Sequence, residues 1–211
     1  MTTTHFVPAF DLDGVVVRAC DIEGLLLLTP KRNEDERGFF SECYKRAWFH
    51  EIGIVGDFIQ DNHSLSRARG VLRGLHFQAP PYAQGKLVRV LRGAIYDVAV
   101  DIRKGSPTYG RHAAIVLDAN DGDQLWAPPG FAHGFATLHE DSEVLYKVTA
   151  PYAPNSEGGV AWDDPDLGIA WPIDAARATL STRDKNWPRL TDLASPFEWI
   201  AAAASGREQR P

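Results

Sequence analysis

Two strand-like runs near the middle of the chain constrain its fold most strongly. Residues 85–103, "GKLVRVLRGAIYDVAVDIR", contain both runs, divided by an Arg-Gly pair that is typical of a hairpin break. In the second run, Tyr96, Val98, Val100 and Ile102 alternate with Asp97, Ala99, Asp101 and Arg103. Because side chains point to opposite faces of a strand with a period of two, this pattern predicts β-structure rather than helix.

Further short strands are predicted along the chain, separated by turn sequences such as "KGSPTYG", "ANDGD" and "APYAPNSEGG". They cover residues 25–28, 39–44, 58–62, 112–117, 123–127 and 143–149. Many short strands at near-regular spacing indicate an antiparallel sandwich or barrel. Helix is predicted only at 45–53 and at 191–204, where Asp192 or Ser195 is the expected cap and Pro196 falls in the first turn.

The size and charge of the chain limit the classes of protein that it can belong to. Its 211 residues predict one domain, with a core at about 22–186 followed by the C-terminal helix and a polar tail. A net charge of -6 argues against nucleic acid as the main partner. No signal peptide or membrane-spanning run is recognisable, so we expect a cytoplasmic protein in which Cys20 and Cys43 are reduced thiols.

The stretch "GVLRGLHFQ" at 70–78 places an arginine and a histidine in an apolar run. In a regular strand, Arg73 and His76 would lie on opposite faces, although a bulge or a loop could bring both to one site. One interpretation is a buried strand with a satisfied core histidine and a surface arginine. The other is a functional site, which the strand alone does not distinguish from the first.

The motif of metal-binding cupin barrels consists of a paired His-x-His, a following glutamate and a later histidine, and the sequence matches it only in part. The first element is incomplete because Gln78 replaces the second histidine, and no glutamate follows within several residues. The later "PPGFAH", which contains His133, does match the second element. The barrel signature is present, but the ligand set predicts no metal.

The polar residues suit proton abstraction next to a carbonyl, which requires a base, a group that stabilises the enolate and an acid. His76 is the natural base because imidazole titrates near neutral pH. A carboxylate such as Asp184 can fix its tautomer. Lys86 can offset the charge on the enolate oxygen, and Tyr146 can return a proton from the opposite face. Delivery from the opposite face inverts the carbon, which is epimerisation.

The motifs resemble those of the dTDP-4-dehydrorhamnose 3,5-epimerase family, the RmlC-type cupins, from about residue 22 to residue 186. Six motifs occur in the family's order: "DERGFFSE", "FIQDNHSLS", "GVLRGLHFQ", "GKLVRVLRGAIYDVAVDIRKGSPTYG", "LWAPPGFAHGF" and "VLYKVTAPYAP". The resemblance implies an all-β cupin jelly-roll β-barrel with short peripheral helices. It also implies a homodimer with exchanged N-terminal strands, no metal or organic cofactor, and the substrate dTDP-4-dehydro-6-deoxy-D-glucose.

The same resemblance implies roles for individual residues. The catalytic set falls on His76, Asp184, Lys86 and Tyr146, and the diphosphate-binding arginines fall on Arg37 and Arg73. The remaining substrate-binding positions, implied by the resemblance, are Phe40, Glu42, Gln60, Asn62, His133, Tyr152, Glu157 and Lys185, with Phe40 and Tyr152 flanking the thymine.

Alternative functions stay open at this stage. Relatives in antibiotic-sugar pathways epimerise C3 alone or C5 alone, and the motifs do not separate these outcomes. A sugar 3,4-ketoisomerase of related fold is the enzyme alternative. A nucleotide-sugar binding module without catalysis is a third interpretation, although such a module has no need for an acid and a base. A metal-dependent cupin oxygenase fits least.

Overall fold

The computed structural model describes residues 2–54 and 56–200, which are almost entirely β-structure. The strands are Val7–Leu12 (β1), Val15–Ala19 (β2), Leu26–Pro30 (β3), Asn33–Asp35 (β4), Gly38–Phe40 (β5), Gln60–Ser66 (β6), Leu72–Gln78 (β7), Lys86–Arg92 (β8), Ala94–Asp101 (β9), His112–Asp118 (β10), Gln124–Ala127 (β11), Phe131–Thr137 (β12), Ser142–Val148 (β13) and Glu157–Gly159 (β14). The α-helix is Arg46–Glu51 (α1), and 3-10 turns lie at Pro154–Ser156, Ala175–Arg177 and Leu190–Asp192.

The strands form two facing antiparallel sheets. The larger sheet has the order β1-β2-β3-β11-β8-β13-β6, and the smaller has the order β10-β9-β12-β7-β14. The hairpin of β4 and β5 stands apart from both sheets. This arrangement confirms the predicted jelly-roll β-barrel with short peripheral helices. No helix within the described ranges is long and apolar enough to cross a membrane.

Three apolar clusters account for the packing of the two sheets. The first fills one end of the space between the sheets and includes Leu27, Val88, Leu125 and Phe135. The second packs the C-terminal segment onto the outer face of the smaller sheet, and the third packs α1 onto the outer face of the larger sheet. Burying large aliphatic and aromatic side chains in this way contributes roughly 1.5–3 kcal/mol for each one.

Strand β9 shows how the alternating sequence pattern is used. All eight of its residues are buried, because its apolar face lies beneath the C-terminal segment and its other face points into the barrel. The inward face carries Asp97, which lies opposite Phe135 of β12. The alternation therefore predicted the strand correctly, but it did not indicate which of the two faces lines the interior of the barrel.

The predicted elements agree with most of the observed ones. The helix expected at 45–53 is α1, and the two runs of 85–103 are β8 and β9. The strand predicted at 39–44 is shorter, because β5 ends at Phe40. The strand predicted at 58–62 begins two residues later, at Gln60, and continues to Ser66.

The predicted C-terminal helix is wrong over its described part, residues 191–200. After one 3-10 turn the chain is extended and forms a bridge in which the Lys104 amide donates to the Phe197 carbonyl at 2.9 Å. The Ser195 hydroxyl donates to the Ile102 carbonyl instead of capping a helix. Packing of Phe197 on Phe77 outweighs the local helix signal. Residues 201–204 and the polar tail lie outside the described residues.

Arg73 and His76 do not lie on opposite faces as they would in a regular strand, because β7 contains a bulge, which is the alternative that the sequence left open. His76 pairs with His133, whereas Arg73 pairs with Phe135, and the register shifts between them. Two residues of β7, Gly74 and Leu75, therefore lie opposite one residue of β12. An extra residue changes the phase of the alternation, so both functional side chains point into the barrel.

Glycine is required at the bulge because the two strands approach closely. Gly74 has φ +136°, and a Cβ atom there would lie 2.5 Å from the Cα of Gly134. Neither position accepts a side chain without moving backbone. The glycine before "LHFQ" is thus part of what brings the arginine and the histidine to one site.

Candidate active site

The open end of the barrel contains a polar cavity of about 810 Å³. Both sheets and the segment 181–186 contribute to its walls. The lining residues are Ser64, Arg73, His76, Lys86, His133, Phe135, Tyr146, Glu157, Ser181, Thr182, Arg183, Asp184 and Asn186. A smaller pocket of about 110 Å³ adjoins it and shares His76, Lys86, Tyr146 and Glu157.

A histidine–aspartate pair lies in the wall formed by the smaller sheet. The Nε2 atom of His76 donates a hydrogen bond to Oδ1 of Asp184, which is 4% exposed. Burial alone would raise the pKa of Asp184, but the hydrogen bond from His76 and a further one involving Ser181 hold it below its usual value. Because an ionised carboxylate only accepts, Nε2 carries the hydrogen and Nδ1 keeps the lone pair. The pair is built like a general base and the carboxylate that orients it.

A second pair of the same kind lies deeper in the cavity. Nε2 of His133 donates to Oδ1 of Asp97 at 2.8 Å, and Asp97 is completely buried. Its other oxygen, Oδ2, has no hydrogen-bond partner within the described part of the chain. Asp97 was not among the predicted site residues, and the only signal for it in the sequence was an aspartate within the alternating pattern of β9. The pair fixes the ring of His133 at the floor of the cavity.

Lys86 lies at the start of β8 on the wall formed by the larger sheet. Its ammonium donates to the backbone carbonyl of His76 at 3.2 Å, which brings it beside the first pair. Desolvation by burial lowers the pKa of Lys86 to about 8, while the negative charges of Asp97 and Glu157 oppose the decrease. The side chain is therefore mostly charged at neutral pH and loses its proton as the pH rises through about 8.

Tyr146 faces His76 from the other side of the cavity. It lies on β13 of the larger sheet, paired with Asn62 on one side and Val88 on the other, whereas His76 belongs to the smaller sheet. Burial raises the pKa of the Tyr146 phenol; the positive charge of Arg73 opposes this and the negative charge of Glu157 adds to it. The phenol is protonated at neutral pH and can donate a proton across the cavity.

Arg73 is held at the rim of the cavity by the neighbouring strand. Its Nε donates to Oγ of Ser66 at 3.3 Å, and Nη2 donates to the Leu65 carbonyl at 3.5 Å. Ser64, also on β6, lines the same wall, and its buried hydroxyl has no partner among the residues described. A fixed guanidinium beside an unpaired hydroxyl is suited to an anionic group of a ligand.

The smaller pocket gathers four more of the predicted residues. The Gln60 amide donates to Asn62 Oδ1 at 2.8 Å and accepts from the Tyr152 amide at 3.1 Å. The Tyr152 hydroxyl donates to Glu157 at 3.1 Å. The structure therefore brings Gln60, Asn62, Tyr152 and Glu157 together beside the catalytic candidates.

Four predicted residues do not line the cavity of their own chain. Arg37 and Phe40 lie on the β4–β5 hairpin and are largely exposed, Arg37 at 84% of its side chain. Glu42 is exposed and forms an ion pair with Lys45 at 3.7 Å. Lys185 points outward while its neighbours line the wall.

The basic residue of this segment that reaches the cavity is Arg183, two positions before Lys185. It forms an ion pair with Glu157. The sequence analysis missed it, because "TRDK" offers a basic residue on each side of Asp184 and the pattern does not say which one turns inward.

The described side chains around the cavity do not form a set of metal ligands. Nowhere in residues 2–54 and 56–200 do three His, Cys, Asp or Glu side chains come together in a way that would hold a metal ion. Gln78, which stands where a metal-binding barrel would have a histidine, is engaged elsewhere. Its amide donates to the carbonyls of Tyr82 and Pro151 and accepts from the Ala153 amide.

The jelly-roll fold, with a histidine–aspartate pair and a tyrosine on opposite walls of one cavity, is the arrangement expected of an isomerase that moves protons. The family model described as dTDP-4-dehydrorhamnose 3,5-epimerase matches residues 19–192. The chain belongs to that family, as its motifs predicted.

Named relatives are similar over nearly the whole chain. A dTDP-4-dehydrorhamnose 3,5-epimerase of Sinorhizobium fredii is 47% identical over 191 residues, covering 90% of this chain and 97% of that protein. The crystal structure of a Legionella pneumophila dTDP-6-deoxy-D-glucose-3,5-epimerase with dTDP-4-keto-L-rhamnose has a TM-score of 0.84 and 41% identity, covering 89% and 100% of the two chains. ChmJ, a 3'-monoepimerase from Streptomyces bikiniensis in complex with dTDP-quinovose, has a TM-score of 0.75 and 38% identity, covering 81% and 86%.

Proposed function

We propose that this epimerase converts dTDP-4-dehydro-6-deoxy-D-glucose to dTDP-4-dehydro-L-rhamnose by inverting C3 and C5. The observation that carries the proposal is the position of the His76–Asp184 pair opposite Tyr146, with the cavity between them. Inversion next to a carbonyl requires a base on one face of the sugar and an acid on the other. The C4 carbonyl of this substrate activates both C3 and C5.

The proton is removed by Nδ1 of His76. Nε2 is bonded to Asp184, which fixes the tautomer and stabilises the imidazolium after proton transfer. Negative charge then develops on the C4 oxygen, where the Lys86 ammonium is available to stabilise it. Tyr146 returns a proton to the opposite face of the enolate, and the configuration at that carbon is inverted.

The diphosphate group of the substrate binds at the rim of the cavity. Arg73 and Arg183 supply positive charge there, and the unpaired Ser64 hydroxyl supplies a hydrogen bond. The smaller pocket beside Tyr152 receives the thymine end, with Gln60 and Asn62 as polar contacts.

Epimerisation at C3 alone is the second candidate, because the chain is also similar to a monoepimerase over four-fifths of its length. Incubation of the purified chain with dTDP-4-dehydro-6-deoxy-D-glucose, followed by NMR of the product, separates the candidates. Inversion at both carbons is the expected result. Inversion at C3 alone supports the second candidate, and transfer of the carbonyl from C4 to C3 indicates a ketoisomerase and contradicts the proposal.

A homodimer with exchanged N-terminal strands is part of the proposal, because it explains the exposed hairpin. Arg37 and Phe40 project away from their own cavity, and Phe39 and Phe40 are 59% and 69% exposed. Aromatic rings exposed to this extent are typical of an interaction surface. In the proposed dimer, this hairpin reaches the cavity of the second copy and completes its nucleotide site.

Complementation between two inactive variants tests this arrangement. His76→Ala lacks the base, and the double variant Arg37→Ala/Phe40→Ala lacks the hairpin contacts. When the two are co-expressed, half of the dimers are mixed and each mixed dimer has one intact site, so we expect about a quarter of wild-type activity. Activity no greater than that of the separate variants would show that each chain uses its own hairpin or none.

We also propose that the reaction requires neither a metal nor an organic cofactor, since Gln78 is committed to backbone hydrogen bonds. Dialysis against EDTA is expected to leave turnover unchanged. Loss of activity that returns on addition of a divalent cation would contradict this. The cytoplasmic location stays a prediction.

A further inference from the structure

Trp187 packs against the ring of His76. The two ring centroids are 6.0 Å apart and the ring planes make an angle of 70°, an edge-to-face arrangement. Trp187 follows Asp184 by three residues, so one short segment carries both the carboxylate and the aromatic ring that contact this histidine. No sequence motif pointed to Trp187.

The smaller sheet has a space for the indole. Gly159 of β14 pairs directly with His76 of β7, and a Cβ atom on Gly159 would lie 2.5 Å from Cδ2 and Cε2 of Trp187. The indole thus lies against the glycine backbone and beside the imidazole. Any larger residue at position 159 would displace the ring.

Trp187 also anchors a segment that has no regular secondary structure. Residues 181–186 are held by local hydrogen bonds, such as the Asp184 amide to Ser181 Oγ at 3.1 Å. Directly after the tryptophan, the Pro188 carbonyl accepts from the Ala161 amide at 2.8 Å. The indole is therefore placed to set where this segment, and with it the Asp184 carboxylate, meets the sheet.

The indole nitrogen provides a second observation. Nε1 of Trp187 is buried and has no hydrogen-bond partner with acceptable geometry in the described structure. It is nevertheless among the groups, after His76 and Ser181, that lower the pKa of Asp184, so it lies near that carboxylate. The indole nitrogen therefore lies close to the Asp184 carboxylate without forming a well-aligned hydrogen bond to it, which brings the tryptophan into contact with both members of the pair.

We propose that Trp187 is a positioning residue that holds the His76 ring with Nε2 toward Asp184 and Nδ1 toward the substrate. The ring contact restricts rotation of the imidazole, and the segment contact fixes the carboxylate. The role of Nδ1 as the base rests on the proposed epimerase function, whereas the orientation of the ring does not.

The orientation can be measured without substrate. In protein labelled with ¹⁵N-histidine, two-bond ¹H–¹⁵N NMR spectra at alkaline pH report which ring nitrogen carries the hydrogen. We expect wild type and Trp187→Phe to show the Nε2–H tautomer at His76. Trp187→Ala should show a mixture with the Nδ1–H form.

Trp171→Ala is a matched control. Trp171 packs on Tyr96 with the same centroid distance, 6.0 Å, and the same angle, 70°, but on the outer face of the smaller sheet. This variant is expected to leave the tautomer of His76 unchanged. Should Trp187→Ala not fold, Trp187→Leu removes the aromatic ring while keeping most of its volume.

Turnover supplies the second measurement. Because misplacing a base by about 1 Å can cost roughly 10²-fold, kcat of Trp187→Ala is expected to fall 10- to 100-fold with little change in KM. Trp187→Phe should retain most of kcat. A pure Nε2–H tautomer at His76 in Trp187→Ala, or an increase in KM at unchanged kcat, would overturn the proposal. A change of tautomer in a chain that does not epimerise would support the positioning role and contradict the function.

Discussion

Replacing His76 with alanine is expected to abolish both epimerisation and exchange of the sugar protons with solvent. In the proposed mechanism the imidazole is the base, and its partner Asp184 is almost completely buried and serves to orient it. Loss of a general base typically reduces the rate by roughly 10²–10⁴-fold. Solvent exchange and net epimerisation, both followed by NMR, should fall together.

His63→Ala is the matched control for this prediction. His63 also pairs with a carboxylate, Glu143, at 3.1 Å, but it lies on the exposed outer face of the larger sheet. Its loss is expected to leave both rates close to wild type. If His76→Ala exchanged the sugar protons at nearly the wild-type rate, another group would be the base and the assignment would be wrong.

Replacing Tyr146 with phenylalanine is expected to separate the two halves of the reaction. The ring and its packing between β6 and β8 remain, and only the proton donor is lost. Removal of a proton by His76 should therefore continue. The enolate would be reprotonated mainly from the original face or by water, so deuterium would still enter the sugar while net epimerisation falls sharply.

Tyr96→Phe provides the comparison for Tyr146. Tyr96 is also buried, but its hydroxyl donates to the Thr2 carbonyl at 2.7 Å, away from the cavity. This variant should epimerise normally. Normal epimerisation by Tyr146→Phe would show that water or His133 delivers the proton, and the mechanism with two opposed groups would fail.

Much of the barrel could be predicted from local sequence because strand periodicity is a local property. The alternation in β9 identified the strand and its two faces, and the turn sequences separated β10, β11 and β13. Strand periodicity could not predict that Arg73 and His76 lie at the same site. This placement depends on a bulge whose position is set by the close approach of Gly74 to Gly134 on a strand distant in sequence.

The C-terminal segment shows the opposite case, in which tertiary contacts outweigh a local signal. Residues 191–200 contain candidate caps and a proline suited to a first turn, yet after one 3-10 turn they are extended beside Lys104. Burial of Phe197 against the smaller sheet decides the conformation. Sequence periodicity carries no information about that surface.

The residues at the centre of the candidate site were predicted more completely than the residues around its rim. His76, Asp184, Lys86 and Tyr146, which the family motifs implied as one set, do line one cavity. Three of them lie on strands, and Asp184 is brought to the cavity by the irregular segment 181–186. Arg183 was missed, since the direction of a side chain in an irregular segment depends on contacts far away in sequence. Arg37 and Phe40 lie on an exposed hairpin that does not line the cavity of its own chain, so their role depends on the proposed dimer.

The central claim is that the configuration at each carbon is inverted by removal and return of a proton. Incorporation of deuterium from the solvent tests this claim most directly. The wild-type chain is incubated with dTDP-4-dehydro-6-deoxy-D-glucose in deuterated water, and the label is located by NMR. We predict deuterium at both C3 and C5 of the inverted sugar. An inverted product that carries no solvent deuterium at either carbon would contradict the account.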